Sequence, residues 1–257
     1  MATAFHTIAA ARPRLPLAAF ACLCPGPRPA TRKLSLTSTA VSTIDSAPAS
    51  SSDAKKTTTV FVAGSTGRTG KRVVEKLLER GFGVVAGTTD VGRARRSLPQ
   101  DPNLQLVRAD VMEGTDKLVD AIRGADAVVC ATGFRRSFDP FAPWKVDNFG
   151  TVNLVEACRK AGVTRFILAE KHIRSSGINY TIIRPGGLTE QPPTGNIVME
   201  PEDTLYEGSI SRQQVAEVAV EALLCREESS YKVVEIVTRA EAHNRPLKDL
   251  FASIKQS

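Results

Sequence analysis

One short stretch constrains the fold of this chain more than any other feature. An apolar run, Val60–Ala63, leads into three glycines spaced Gly-x-x-Gly-x-x-Gly over residues 64–70, and a segment of helical periodicity follows. A buried strand, a glycine turn and a helix in this order predict the first unit of a nucleotide-binding α/β fold. Gly64 allows the tight turn, Gly67 lets the backbone approach a diphosphate, and Gly70 lets the helix pack closely on its strand.

The start of this helix suits an anion, so we interpret the turn as a dinucleotide site. A helix N-terminus offers unpaired N–H groups and a partial positive charge to a phosphate. Arg68, Lys71 and Arg72 crowd the same place, where cations are normally unfavourable, and a bound anion would offset their repulsion. The alternative is a plain strand-to-helix turn. The predicted diphosphate-binding residues are Gly64, Ser65, Thr66, Gly67, Arg68, Thr69 and Gly70.

The net charge of +7 is unevenly distributed along the 257 residues. Residues 1–56 hold seven Lys or Arg and two acids, whereas the remaining chain holds 27 basic and 25 acidic side chains. The part that can fold is therefore nearly neutral, which does not support a nucleic-acid or anionic-membrane surface.

Residues 1–56 have the composition of an import signal. The first acid is Asp45, arginine recurs, and serine, threonine and alanine dominate from Thr31 to Ser52. Such acid-poor leaders direct proteins to organelles, and the five prolines before Thr31 favour a chloroplast over a mitochondrion. The alternative is an ordinary tail. We expect a disordered transit peptide and linker over 1–56 and a Rossmann domain over 57–257, located in the stroma or at the thylakoid surface, with no transmembrane segment.

From residue 58 onward, apolar strand-like runs alternate with helical periodicity, which is typical of a doubly wound parallel sheet with helices on both faces. Glycines 81, 124, 162 and 177 follow the predicted helices as C-terminal caps. Strands are predicted at Thr59–Ala63, Val84–Gly87, Leu104–Arg108, Ala127–Ala131, Arg165–Leu168, Tyr180–Arg184 and Lys232–Val237. Helices are predicted at Gly70–Arg80, Thr115–Ile122, Lys145–Lys160, Ala169–Ser176 and Gln213–Leu224.

The residues after the second strand indicate which dinucleotide binds. That strand ends Gly87-Thr88-Thr89, without an acid that could hold both hydroxyls of an adenosine ribose. Arg93 lies near in sequence and, with Arg68, offers positive charge to an extra phosphate. The balance favours NADP over NAD.

Other predicted cofactor contacts follow the later strands, because ligands of such sheets bind at the carboxyl ends of the strands. Asp110 can accept a hydrogen bond from an adenine amino group, with Val111 beside it, although a turn or helix-cap role is the alternative. The small residues Ala131, Thr132 and Gly133 allow a ligand to pass closely, and Pro185 begins a rigid turn near the expected nicotinamide. The scattered histidines and cysteines have no metal-binding spacing, so no metal is expected.

The ordered set VFVAGSTGRTG, RADV, AVVCATG, VDNFGTVNLVEACRKAGV, INYTIIRPGGL and SISRQQVAEVAVEAL resembles the atypical short-chain dehydrogenase/reductase family. More narrowly, it is similar to NAD(P)H-binding members of plant plastids, related to NmrA-like and flavin-reductase-like proteins. The resemblance covers about residues 58–257. It implies a seven-stranded sheet, a bound nicotinamide dinucleotide and a small-molecule substrate that the sequence does not identify.

The connection between the fifth and sixth predicted strands departs from the family. Only eleven residues, Ala169 to Asn179, separate them, close to the minimum for a parallel crossover. In the family this region carries a serine and a Tyr-x-x-x-Lys pair, whereas none of Tyr180, Tyr206 and Tyr231 has lysine four positions later. No catalytic residue is therefore assigned, and Lys171 is interpreted as a solvated helix residue rather than a replacement base.

Two interpretations of the short crossover stay open: a splice-type deletion at Leu168-Ala169, and a catalytically silent binding protein. The loop Phe134–Trp144 and the segment Leu188–Ser211 are candidate walls of a substrate pocket. We expect an NADP(H)-binding protein with weak or absent catalysis. The alternatives are an active NAD(P)H-dependent oxidoreductase on a small planar or isoprenoid substrate and a redox-sensing scaffold, whose protein partner the sequence does not indicate.

Overall fold

The computed structural model describes residues 57–133, 149–168 and 173–255, with Leu168 described by its backbone alone. The strands are β1 Thr59–Ala63, β2 Gly83–Thr88, β3 Leu104–Arg108, β4 Ala127–Cys130, β5 Arg165–Leu168, β6 Asn179–Pro185, β7 Gly187–Thr189, β8 Asn196–Pro201, β9 Ser209–Ser211 and β10 Lys232–Arg239. The helices are α1 Arg68–Glu79, α2 Val91–Ser97, α3 Thr115–Ile122, α4 Thr151–Ala161, α5 Arg212–Leu224, α6 Arg226–Ser229 and α7 Leu247–Ser253.

Seven strands form a parallel sheet in the order β3-β2-β1-β4-β5-β6-β10. The chain order reverses between β1 and β4, the position at which doubly wound sheets bind their ligands. Val60 pairs with Val84 on one side and with Ala127 on the other, which fixes the register at this point. The predicted doubly wound sheet is confirmed, and all seven predicted strands are present.

Two apolar cores cover the two faces of the sheet. On one face, α1, α2, α5 and α7 pack against buried side chains such as Val62, Val129 and Ile183. On the other, α3 and α4 pack against Phe61, Val128 and Phe166, all with no exposed surface. Because these strands are buried on both faces, they read in the sequence as continuous apolar runs.

Several helix boundaries differ from those predicted. Helix α1 begins at Arg68 rather than Gly70, because Gly67 has the extended conformation of an N-cap. Helix α4 is described from Thr151, and residues 145–148 of that prediction lie outside the described residues. Of the helix predicted over Ala169–Ser176, residues 169–172 lie outside the described residues and Ile173 is in a 3₁₀ conformation. The prediction is wrong for residues 174–176, which form a turn in which Ser176 N donates to Ile173 O at 3.0 Å.

The segment between β6 and α5 contains three short strands that the sequence did not predict. β8 and β9 pair antiparallel with β10, and β7 pairs parallel with β9. The predicted capped start of the following helix is confirmed: Ser211 and Gln214 form a capping box at α5. This segment thereby extends the sheet beside the carboxyl ends of β6 and β10.

Three of the four predicted glycine caps are confirmed by backbone geometry. Gly81, Gly124 and Gly162 follow α1, α3 and α4 with positive φ, between 73° and 83°, the left-handed conformation that glycine adopts most readily. Gly177 also has a positive φ of 78°, but it follows a turn at residues 174–176. Within the described residues, no helix has the length and apolar character needed to cross a bilayer.

Candidate dinucleotide site

The glycine turn connects β1 to α1 in a conformation that side chains would disturb. Gly64 has φ +72°, and a Cβ there would lie 2.9 Å from the carbonyl oxygen of Ala131. A Cβ on Gly70 would lie 2.2 Å from the carbonyl oxygen of Gly64. The turn and close-packing roles predicted for these two glycines are therefore confirmed.

The side chains of the other turn residues differ in their burial. Ser65 is fully buried, and its N–H and its hydroxyl both donate to the carbonyl oxygen of Gly87, at 3.2 and 2.9 Å. Ser65 thus ties the turn to β2, and a contact between its side chain and a coenzyme stays a prediction. Thr66 and Thr69 are half-buried, whereas Arg68 is exposed.

The first acidic residue after β2 already accepts a hydrogen bond from the backbone. Asp90 is the N-cap of α2, and its Oδ1 accepts from the N–H of Arg93 at 2.9 Å. The buried hydroxyl of Thr88 lies 3.2 Å from the N–H of Asp90. Arg93 is exposed on α2, so its guanidinium adds positive charge beside the end of β2.

Asp110 lies in a turn after β3, where its Oδ1 accepts from the N–H of Met112 at 2.9 Å. Both interpretations of Asp110 are compatible with this contact, because a carboxylate has two oxygens. Val111 is buried against Gly150, where an added Cβ would lie 2.7 Å from a Val111 methyl group. This contact fixes the start of α4 against the end of β3.

A cavity of about 180 Å³ lies at the carboxyl ends of β4, β5 and β6, and we call it the edge cavity. Four predicted residues line it together: Ala131, Thr132, Gly133 and Pro185. Thr69 of the glycine turn and Leu188 of β7 also line the edge cavity. Most of the remaining wall is aliphatic, formed by Val73, Val129, Ile167, Ile183, Val215 and Ala219.

A cluster of three arginines on one carboxylate was not predicted from the sequence. Glu190, which follows β7, lies 3.2 Å from Arg68, 3.0 Å from Arg72 and 2.9 Å from Arg212. An internal carboxylate therefore supplies part of the anionic charge that the sequence indicated at the start of α1. Arg72 and Glu190 are 118 positions apart in the chain, so no local pattern could have indicated the contact.

The three tyrosines lie away from the edge cavity. Tyr180 and Tyr231 form an edge-to-face pair with ring centroids 5.6 Å apart, near the amino ends of β6 and β10. The hydroxyl of Tyr206 donates to Asp203 O at 2.8 Å.

Cys130, Cys158 and Cys225 are buried thiols that form no disulfide, and burial raises the pKa of Cys225 to about 11. The predicted loop 134–144 and Lys171 lie outside the described residues.

A second, larger groove of about 410 Å³ lies between α5 and the loop before α7. Its lining includes Glu217, Glu221 and Arg245, and none of the predicted cofactor residues. Among the residues with described side chains, no three potential metal ligands of the His, Cys, Asp and Glu types lie together.

The parallel sheet, its glycine turn at the reversal of strand order and the adjoining apolar cavity define a dinucleotide-binding protein of the Rossmann class. The chain belongs to the NAD(P)H-binding family, whose sequence profile matches residues 64–169 and again residues 168–226. The two matches meet at residues 168 and 169, the junction at which the sequence departs from the family pattern.

Among curated proteins, the chain is similar to the Uncharacterized protein At2g34460, chloroplastic, of Arabidopsis thaliana. The two are 60% identical over 238 residues, covering 79% of this chain and 85% of the relative. The alignment spans 238 positions, but this chain contributes only 79% of its 257 residues to it. The alignment is longer than that contribution, so the relative contains positions that this chain lacks.

The chain is also 32% identical to Protein TIC 62, chloroplastic, of Pisum sativum, over 84% of this chain and 49% of that protein. It therefore spans about half the length of this relative. Among solved structures, the oxidoreductase ylbE from Lactococcus lactis superposes with a TM-score of 0.63 at 27% identity, covering 76% of this chain and 95% of that one.

Proposed function

We propose that this protein binds NADP(H) in the chloroplast and, in this form, has weak or no catalytic turnover. The observation that carries the binding part is the glycine turn at the reversal of strand order, where side chains on Gly64 or Gly70 would collide with neighbouring carbonyl groups. The bound coenzyme would supply a hydride, and the residues of this chain would bind and orient it.

The residues present fit a nicotinamide dinucleotide. The N-terminus of α1 would hold the diphosphate through the backbone N–H groups that follow Gly67, because the N–H of Gly67 itself donates to the carbonyl oxygen of Gly64 at 2.9 Å. Asp110 and Val111 would border the adenine, and the edge cavity would take the nicotinamide between Thr132, Gly133 and Pro185. The aliphatic wall of this cavity supports a flat, largely apolar ring.

A preference for NADP over NAD is supported by the end of β2. The Asp90 carboxylate that could have held two ribose hydroxyls already caps α2, while Arg93 and Arg68 are exposed nearby. We expect NADPH to bind more tightly than NADH, and Thr89→Asp to reverse the order, because the new carboxylate would accept from the ribose hydroxyls and repel a 2′-phosphate.

Weak turnover is proposed because the usual acid–base residues have no counterpart in this chain. Ten residues separate β5 from β6, and the family match is interrupted at the same junction. The longer alignment with the Arabidopsis protein supports a deletion there over a protein that never had the segment. Sequencing transcripts across the codons of Leu168 and Ala169 would show whether a longer form exists.

The chloroplast location is supported by the leader composition and by two relatives named as chloroplastic. A fusion of residues 1–56 to a fluorescent protein would test it in plant cells. Accumulation of the fusion in the cytosol would contradict this part of the proposal.

Calorimetric titration of the full chain with NADPH and NADH tests the binding proposal. We expect saturable binding to the wild type, and loss of binding in Gly67→Asp, because the new carboxylate would repel the diphosphate. Equal heats for the wild type and the Gly67→Asp variant would refute the proposed site.

A second candidate function is an active oxidoreductase on a small planar, apolar substrate, which the aliphatic lining of the edge cavity favours. NADPH oxidation would then exceed the background in a panel of quinones, flavins and aldehydes, with water supplying the proton. No turnover in any member of the panel, together with tight NADPH binding, would favour the binding protein instead.

A further inference from the structure

We propose that Glu190 is an internal competitor of the coenzyme diphosphate, and that Arg72 is a further ligand of that diphosphate. This inference rests on the proposed coenzyme binding and adds two residues to its site. It follows from the cluster in which Glu190 meets Arg68, Arg72 and Arg212.

The charges of this cluster are unbalanced. Among the described residues, three guanidinium groups share a single carboxylate at distances of 2.9 to 3.2 Å, so two of their positive charges have no acidic partner there. It also includes the first residue of α1 and the first residue of α5, where the helix dipoles add positive potential. A second anion near this point is therefore attracted, and Glu190 reduces that attraction.

The three arginines differ in how easily they can leave Glu190. The Arg212 side chain is 10% exposed, and its partner Glu190 is 44% exposed, so this ion pair anchors the carboxylate. The Arg68 side chain is 71% exposed, and exposed ion pairs contribute little to stability. Arg68 can therefore turn from Glu190 to a ligand phosphate at small cost.

Arg72 lies one turn further along α1 and connects the cluster to the helix start. Its Nη1 donates to the carbonyl oxygen of Arg68 at 2.6 Å, while its Nη2 donates to Glu190 at 3.0 Å. Arg68 directly follows Gly67, the N-cap residue at which the diphosphate is proposed to lie. Both arginines can thus serve either the carboxylate or the diphosphate, and the coenzyme must compete with Glu190 for them.

The test is the affinity of Glu190→Gln for NADPH and for NADH. Removal of one negative charge that competes with a dianion should tighten binding about three- to ten-fold. The gain should appear with both coenzymes, because both carry the diphosphate. The salt dependence of binding should become steeper, and Arg72→Gln should weaken both affinities.

Glu79→Gln is the matched control, since it removes the same charge from a carboxylate at the far end of α1, where Glu79 pairs with Lys76. Its affinity should stay within two-fold of the wild type. Thermal unfolding of each variant without coenzyme separates folding defects from changes in binding. Glu190→Asp keeps the negative charge, so the folded variant should retain the wild-type affinity. An unchanged or weaker affinity in folded Glu190→Gln, or an equal gain in Glu79→Gln, overturns the inference. Failure of the wild type to bind either coenzyme overturns the proposed function itself.

Discussion

A methyl group on Gly70 would lie 2.2 Å from the carbonyl oxygen of Gly64, well inside van der Waals contact. We expect Gly70→Ala to displace α1 from the glycine turn, costing about 1–3 kcal/mol of unfolding free energy as overpacking does, and to weaken NADPH binding. Gly81→Ala is the control, because an added Cβ at Gly81 would meet no neighbouring atom, although the backbone φ there is +78°. The strained φ should cost about 1 kcal/mol of unfolding free energy and leave NADPH binding intact. Urea unfolding and calorimetric titration of both variants separate the two effects, and wild-type binding by Gly70→Ala would contradict this account.

Arg165 is a buried cation without a carboxylate partner among the described residues. Its guanidinium donates to Asn179, Thr181, Ser229 and the carbonyl of Ala222, and its Nε has no partner. Burial, with a contribution from Arg226, lowers the pKa of Arg165 to about 10. The side chain therefore carries a desolvation cost that only neutral oxygens offset.

This balance predicts different outcomes for two substitutions of Arg165. Arg165→Met should change the unfolding free energy by less than about 1 kcal/mol, since apolar replacements of buried ions are often neutral and the Thr181 and Ser229 hydroxyls already donate to backbone carbonyls. Arg165→Ala should lose about 2–5 kcal/mol through the cavity that it leaves. Denaturant titration measures both, and an equal loss in the two variants would show that the guanidinium contacts dominate.

Among the structural elements, β10 is joined to the segment after β8 by a carboxylate. Glu235 accepts from the N–H groups of Asp203, Thr204 and Leu205 at 2.7 to 3.0 Å, with Arg184 3.7 Å away. Burial alone would raise the pKa of Glu235, but these three donors and the guanidinium outweigh it and hold the pKa below its usual value. Asp203 adopts φ +60° in this turn, which the three hydrogen bonds help to stabilise.

The lowered pKa of Glu235 gives a defined pH dependence. Because the folded protein binds this proton less tightly than the unfolded chain, the stabilisation is fully present above the unfolded pKa of about 4.5 and is lost as the pH falls through the lower folded value. Glu235→Gln should therefore be less stable than the wild type at pH 7 and show a smaller loss between pH 5 and pH 3. Chemical unfolding across this range measures the difference.

The same elements show what the sequence could predict. β1, β2 and β4 are largely buried, so each is an apolar run that is visible without knowledge of its neighbours. Helix α2 was missed because its sequence, VGRARRS, has no apolar stripe and buries only Ala94. β7 and β9 have three residues each, too few to form a recognisable pattern. They are strands because β7 pairs with β9 and β9 pairs with β10.

The candidate site divides in a similar way. The glycine spacing predicted the turn because its requirements are local: φ at Gly64 and close backbone approach at Gly70. The Glu190 cluster depends on a contact between α1 and a residue after β7, which only the folded chain creates. Even so, the excess of arginine at the start of α1 was a usable signal, because unfavourable charge at a helix end indicates a missing anion.

At the scale of the whole molecule, the proposed coenzyme half and the short crossover belong to different parts of the chain. The glycine turn and the residues up to Gly133 precede the Leu168–Ala169 junction, and the contacts described for the turn are with β2 and with the end of β4. Of the predicted coenzyme contacts, Pro185 alone follows the junction. Coenzyme affinity should therefore be nearly independent of the crossover length, whereas proton transfer should require the side chains that a longer crossover would carry.

Insertion of the corresponding residues of the Arabidopsis relative between Leu168 and Ala169 tests this separation. We expect the NADPH dissociation constant to stay within about three-fold, and substrate-dependent NADPH oxidation to rise by about 100-fold or more, as general acid–base residues typically contribute. A glycine- and serine-rich insert of the same length is the matched control and should leave oxidation at the background. The chain that carries the relative's segment could unfold cooperatively and still show no oxidation. In that case the missing crossover is not what limits catalysis, and the chain is a binding protein for another reason.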